Sequence, residues 1–133
     1  MVEKSLVFIK PDGVSRGLVG RILQRFEDRG FTVKELKLFS PTDAQIDGHY
    51  HEHVSKGFYP DLKAYMKSGP IAVLVLEGPN AISIIRKMVG VTNAGEADSG
   101  TIRGDFALTT AMNVIHASDS VESAAKEIAN FFV

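Results

Sequence analysis

His116 offers the most direct chemistry, within Asn113-Val114-Ile115-His116-Ala117-Ser118-Asp119. The segment reads as a strand running into a capped helix start. The imidazole would then face a cleft beside a helix N-terminus, which favours anions. With an ordinary pKa of ~6.5, such a ring is roughly three-quarters neutral at pH 7 and can serve as nucleophile or base. A lone histidine is also commonly structural. Lys10 ends an apolar run directly before Pro11-Asp12-Gly13, so its charge either leaves the sheet edge or marks a site. Thr92 and Arg103, with the glycines between them, bring a hydroxyl, a guanidinium and open backbone N–H groups into one loop. That set suits a phosphate, although a solvated loop is the plainer reading.

Two other groupings invite chemistry and carry less. His49-Tyr50-His51-Glu52-His53 places His49 and His53 four residues apart, as on a zinc-binding helix. The His-Glu-x-x-His pattern fails, because Ser55 stands where the second histidine is needed. A partly solvated helical face is the better reading. Gly13, Gly17 and Gly20 follow neither the Walker A pattern nor the dinucleotide-binding fingerprint, so they read as turn and packing glycines.

These residues need a scaffold, and 133 residues supply one domain's worth, 1–133. A chain this long can bury roughly two-thirds of its unfolded surface and needs no staple. Charged residues make up 23%, hydrophobic residues 44%, and the formal net charge is −1, so bulk electrostatic binding of nucleic acid is not indicated. Cysteine is absent, which excludes disulfides, cysteine-based zinc sites and thiol catalysis. No apolar run approaches the ~18 residues of a membrane span, and neither a secretory leader nor a prenylation box is visible. A cytoplasmic protein is expected.

The apolar run at 5–10 predicts a strand buried on both faces, stopped by turn chemistry at Pro11-Asp12-Gly13. Helical spacing over 18–29 ends at Gly30 as a C-cap. Residues 31–39 form a second strand whose apolar positions shift from odd to even, predicting a bulge or a change of face. Ser40-Pro41-Thr42-Asp43 reads as a capping box with proline at the first helical position, opening a helix toward His53 that Gly48 weakens by about 1 kcal/mol. A loop and a short helix fill 56–66. The strand over 71–76 is the clearest and stops at Glu77-Gly78-Pro79. A helix over 81–88 closes at Gly90, and 91–104 is an irregular loop. A short strand spans 112–116, and Asp119 starts the last helix with Glu122 as capping partner. Helices over a sheet of at least four strands follow from this, with strand order and direction left open.

Together these segments resemble the nucleoside diphosphate kinase family. The likeness lies in Ile9-Lys10-Pro11-Asp12-Gly13-Val14, Arg16-Gly17-Leu18-Val19-Gly20, His49-Tyr50, Ser68-Gly69-Pro70, Gly100-Thr101-Ile102-Arg103-Gly104-Asp105-Phe106 and Asn113 through Ser123. It runs in order from about residue 4 to the C-terminus. The resemblance implies an α+β, ferredoxin-like sandwich, with a four-stranded antiparallel sheet covered by helices. It implies γ-phosphoryl transfer from a nucleoside triphosphate, typically ATP, to a nucleoside diphosphate. The route would be ping-pong through a phosphohistidine at His116. Lys10, Arg86, Thr92 and Arg103 would hold phosphates, Phe58 would stack on the base and Asn113 would bond the sugar. Tyr50 would order Lys10, while Ser118 and Glu127 would orient His116. Mg²⁺ would ride mainly on the nucleotide phosphates, with no protein metal site, and a homo-oligomer of four or six subunits is implied.

The sequence departs from the family pattern in three places. Ala117 stands where glycine is usual; if that position required φ > 0, alanine would cost roughly 1–2 kcal/mol and could leave a weakened nucleotide-binding or scaffold protein. Ala94 and Ser99 stand where proline is common, which enlarges the unfolded ensemble. The chain ends at Val133, soon after the last predicted helix, where many relatives extend toward a neighbouring subunit.

Overall fold

The computed structural model describes residues 1–132. Strand β1 (Val2–Ile9) is central, because its run Leu6, Val7, Phe8 and Ile9 is fully buried and needs cover on both faces. It pairs antiparallel with β3 (Ile71–Pro79) on one side and β4 (Ile115–Ala117) on the other. Strand β2 (Thr32–Phe39) pairs with β3, giving the order β2-β3-β1-β4. All pairs are antiparallel, the ferredoxin-like arrangement.

Alternation along β1 sorts its side chains between two cores. Val7 and Ile9 face a layer containing Ile22 and Phe26 of α2 (Val19–Arg29) and Ile85 of α5 (Ala81–Val89). Leu6 and Phe8 face Ile46 of α3 (Asp43–His49), Tyr59 and Met66 of α4 (Tyr59–Met66), and Phe131 of α7 (Val121–Phe131). No described helix is long and apolar enough to cross a membrane.

Several expected boundaries shift, each for a local reason. Pro11-Asp12-Gly13 does not merely turn; proline at its first position opens the short helix α1 (Pro11–Ser15). Strand β2 does change register, between Val33 and Glu35. Strand β3 continues through Glu77-Gly78-Pro79, because β1 still pairs with it there. The α3 capping box is Thr42 with Gln45, so Pro41 lies outside the helix: Gln45 N–H donates to Thr42 Oγ1 at 3.1 Å and Thr42 N–H to Gln45 Oε1 at 2.9 Å. The helix stops at His49, and His53 lies in the turn beyond. The α7 cap is Ser120, whose hydroxyl accepts from Ser123 N–H at 3.0 Å, so Glu122 is not the capping partner. The irregular stretch holds a 3₁₀ turn (Ala94–Glu96) and leads into α6 (Ile102–Phe106). Strand β4 is only three residues, because Asn113 and Val114 form a tight turn instead.

Candidate active site

Strand β4 places His116 opposite Phe8 of β1. Their rings stack with centroids 4.8 Å apart. His116 therefore lies on the face that α3 and α7 cover. From α7, Glu127 reaches it: His116 Nε2–H donates to Glu127 Oε1 at 3.0 Å. Ser118 Oγ donates to the same carboxylate oxygen at 2.7 Å while accepting from Leu6 N–H at 3.0 Å, which ties the serine to β1. This hydrogen bond fixes the imidazole tautomer, leaving the Nδ1 lone pair unspent. Burial pushes the His116 pKa below its ordinary value against the opposing pull of Glu127, so the ring is neutral near pH 7.

The cations come from three elements. Lys10, just past β1, donates from Nζ to Asn113 Oδ1 at 2.8 Å, and Asn113 Nδ2 donates to the Thr92 carbonyl at 3.2 Å. Arg103 of α6 is buried and donates to the Ile115 carbonyl at 2.7 Å and the Gly90 carbonyl at 3.0 Å. Arg86 of α5 donates to the Ala117 carbonyl at 3.1 Å. Burial, then Arg103, lowers the Lys10 pKa to about 8. Burial and Arg86 lower that of Arg103 to about 10. Like charges held together out of water stabilise an anion that enters among them.

Local backbone features hold these groups in place. Val114 has φ +74°, and Ile115 N–H donates back to the Asn113 carbonyl at 2.8 Å, closing a γ-turn. A β-branched residue there costs roughly 1–3 kcal/mol, and the turn aims Asn113 at Lys10 and the Ile115 carbonyl at Arg103. Gly104, next to Arg103, must lack a side chain because a Cβ would collide with the Asp98 carbonyl. Ala117 is not among the described residues with left-handed backbone; it is an ordinary β4 residue. The strain that would have weakened the protein is absent there.

The structure thus joins Lys10, Arg86, Arg103, Asn113, His116, Ser118 and Glu127. Thr92 joins through its carbonyl. Lys10 is ordered by Asn113, and no hydrogen bond links it to Tyr50 among the described residues. Tyr50 instead lines the cleft of about 280 Å³ that contains His49, His116 and Glu127, with Glu52, His53 and Asp119 also on its wall. Burial raises the Tyr50 pKa, so it stays a phenol. Phe58 stands apart from the buried cluster, 52% exposed at the start of α4, with the His53 ring 5.5 Å away. The 49–53 stretch is partly solvated as expected, with His51 and Glu52 exposed, but His49 turns inward. Its ring lies 4.5 Å from that of His116 at 89° and also packs edgewise on Phe8 at 5.1 Å. Burial, then the proximity of His116, drives its pKa down to about 2. Neither the His49 contact nor the Val114 turn has a signal in the local sequence.

A sequence model described as nucleoside diphosphate kinase matches residues 3–133. A protein of that name from Methanothermobacter thermautotrophicus is 55% identical over 132 residues, covering 98% of this chain and 87% of the relative. One from Methanocorpusculum labreanum is 54% identical over 131 residues, covering 98% and 88%. Among solved structures, a nucleoside diphosphate kinase family protein from Babesia bovis superposes with a TM-score of 0.95 at 44% identity, covering 98% of this chain and 88% of that one. The halophilic nucleoside diphosphate kinase from Halobacterium salinarum, in complex with CDP, does so with a TM-score of 0.95 at 38% identity, covering 99% and 88%. A full-length sequence match, a shared fold and an imidazole set among desolvated cations agree: the chain belongs to the nucleoside diphosphate kinase family.

Proposed function

We propose that the chain moves a γ-phosphoryl group from a nucleoside triphosphate, typically ATP, to a nucleoside diphosphate through phosphohistidine 116. One observation carries this reading. A neutral imidazole, held at Nε2 by Glu127, stands near Lys10 and Arg103, with Arg86 on the neighbouring Ala117 carbonyl, and among the described residues the hydrogen bonds of these cations go to an amide and to backbone carbonyls. In the first half-reaction the Nδ1 pair attacks the γ-phosphorus, the bond to the β,γ-bridging oxygen breaks and nucleoside diphosphate leaves. Glu127 retains the Nε2 proton by hydrogen bonding and stabilises the positive charge that develops on the ring. In the second, a terminal phosphate oxygen of another diphosphate attacks the phosphorus and the P–N bond breaks. The protein supplies positioning and charge stabilisation, which is most of what phosphoryl transfer requires. We assign Lys10, Arg86, Thr92 and Arg103 to the phosphates, Asn113 to the sugar hydroxyls and Phe58 to the base. Stacking on an exposed ring tolerates any base. We assign Tyr50 to ordering Lys10, without a hydrogen bond between the two among the described residues.

Mg²⁺ fits this setting on the nucleotide rather than in a protein cage. Lys10 and Arg103 lie close enough to His116 to help lower its pKa, and Glu127 is engaged by His116 and Ser118. Glu52 and Asp119 on the cleft wall are the carboxylates left to meet the outer waters of such an ion. When bound, the ion neutralises phosphate charge. A cytoplasmic setting goes with nucleotide substrates. A homo-oligomer, tetramer or hexamer, goes with the exposed leucines of edge strand β2.

The test is to mix the protein with Mg²⁺ and γ-labelled ATP, quench without acid, and then add a different nucleoside diphosphate. An acid-labile phosphoprotein that discharges to the new nucleotide, and is missing in His116→Ala, is the expected result. Nucleotide binding without phosphoprotein would reject the reading.

A further inference from the structure

We infer that His49, His116 and Glu127 form a site for one borderline transition-metal ion, Zn²⁺ or its spectroscopic substitute Co²⁺, and that the bound ion blocks phosphorylation of His116. Each residue offers one ligand atom, and all three atoms lie within 4.8 Å of one another. Two imidazoles and a carboxylate are the ligand set of an open tetrahedral zinc site, with the fourth position left for water. Metal–ligand bonds of ~2.0–2.2 Å set tetrahedral ligand atoms roughly 3.3–3.5 Å apart. His116 Nε2 and Glu127 Oε1, at 3.0 Å, already approximate one such edge. His49 has little more than ~1 Å to travel to complete the triangle.

The surroundings suit an ion as well. His49 Nδ1 is buried and makes no hydrogen bond among the described residues. Ser118 donates to Glu127 at 2.7 Å, the kind of outer contact that holds a ligating carboxylate in place. Phe8 stacks on the His116 ring, and Phe131 lies 5.6 Å from that of His49, so both imidazoles are walled on their apolar sides. The cleft of about 280 Å³ that both histidines line is the entry path. His53, the partner that sequence spacing offered to His49, lies instead in the turn beyond α3 with its ring near Phe58. Imidazole nitrogens select Zn²⁺ or Co²⁺ over Mg²⁺, which prefers six oxygen ligands.

The consequence follows from the lone pairs of one ring. An ion on His116 Nε2 displaces the proton to Nδ1, and an ion on Nδ1 occupies that pair directly. In both cases the pair needed for the P–N bond is gone. The blocking effect rests on the phosphotransfer reading above, whereas the binding does not.

Binding is tested first, on the full chain without nucleotide, by following the visible absorption of Co²⁺. One ion per chain with the intense bands of four-coordinate cobalt is expected, bleached by Zn²⁺. His49→Phe should weaken binding at least ~100-fold, and the double variant His51→Ala, His53→Ala should leave it unchanged. Ring-nitrogen NMR of the unmodified protein gives an answer that no variant's folding can obscure: Zn²⁺ should shift His49 and His116. Unaltered binding in His49→Phe, loss in the double variant, or shifts confined to His51 and His53 would overturn the site. With one equivalent of Zn²⁺ preloaded, phosphoprotein should form more slowly and recover on chelation. Phosphoprotein forming at full rate on a zinc-loaded chain would overturn the block. Phosphoprotein absent with and without zinc would instead reject the phosphotransfer reading and leave the binding result standing.

Discussion

Lys10 holds an ammonium group in a setting that disfavours it, with burial and Arg103 lowering its pKa to about 8. Only the protonated form attracts phosphate. As pH rises through about 8, the free protein loses that charge, so kcat/KM should fall on an alkaline limb with an apparent pKa near 8. A bound phosphate stabilises the ammonium and raises its pKa, so kcat should hold to higher pH than kcat/KM. Steady-state rates across the neutral and alkaline range check this, and a kcat/KM flat through pH 8 would mean that Lys10 does not carry the binding charge. His116 should impose no acid limb near its ordinary value, because burial has already moved its pKa down.

Strand β4 is only three residues long, yet it places His116 between Ile115 and Ala117, both buried on the opposite face. Ala117 contributes a buried methyl and a carbonyl that receives Arg86. Its backbone lies outside the left-handed region, so glycine would relieve nothing. Ala117→Gly should lower stability by about 1–2 kcal/mol, through the added freedom of the unfolded chain and the lost methyl. Phosphoprotein formation should persist. Denaturant unfolding beside the labelling assay measures both, and a stabilised, faster Ala117→Gly would show that the alanine strains the site.

Across the whole molecule, the sheet closes at one edge with β4 and leaves β2 at the other with Leu36 and Leu38 more than half exposed. An edge strand with unpaired backbone groups and apolar side chains is suited to pairing with a second copy. Leu38→Lys should therefore shift the protein toward smaller species in solution sizing, while the isolated chain keeps its fold. An unchanged size would place the subunit contact elsewhere. The site lies across the sheet from this edge, so phosphoprotein formation should survive in the smaller species.

Local chemistry makes candidates of His116, Lys10, Thr92 and Arg103, each with a structural reading beside it, because residue type and spacing are written in the sequence. Their joint role, and the roles of Arg86, Asn113, Ser118 and Glu127, come from the family resemblance and not from spacing. The buried run of β1 and the register break in β2 were legible directly, since side-chain alternation is written residue by residue. Caps were found only to within a residue or two: Thr42 replaced Ser40 and Ser120 replaced Asp119, because several small polar residues compete for each cap and only backbone geometry chooses among them. Antiparallel strand order came from resemblance and not from alternation, which carries no direction. What tertiary structure alone decided is contact across the sheet. His49 meets His116 rather than His53, Lys10 donates to Asn113, and Val114 takes a left-handed backbone that aims its neighbours. Each is settled by packing between elements distant in the chain, and local propensity contains no term for it.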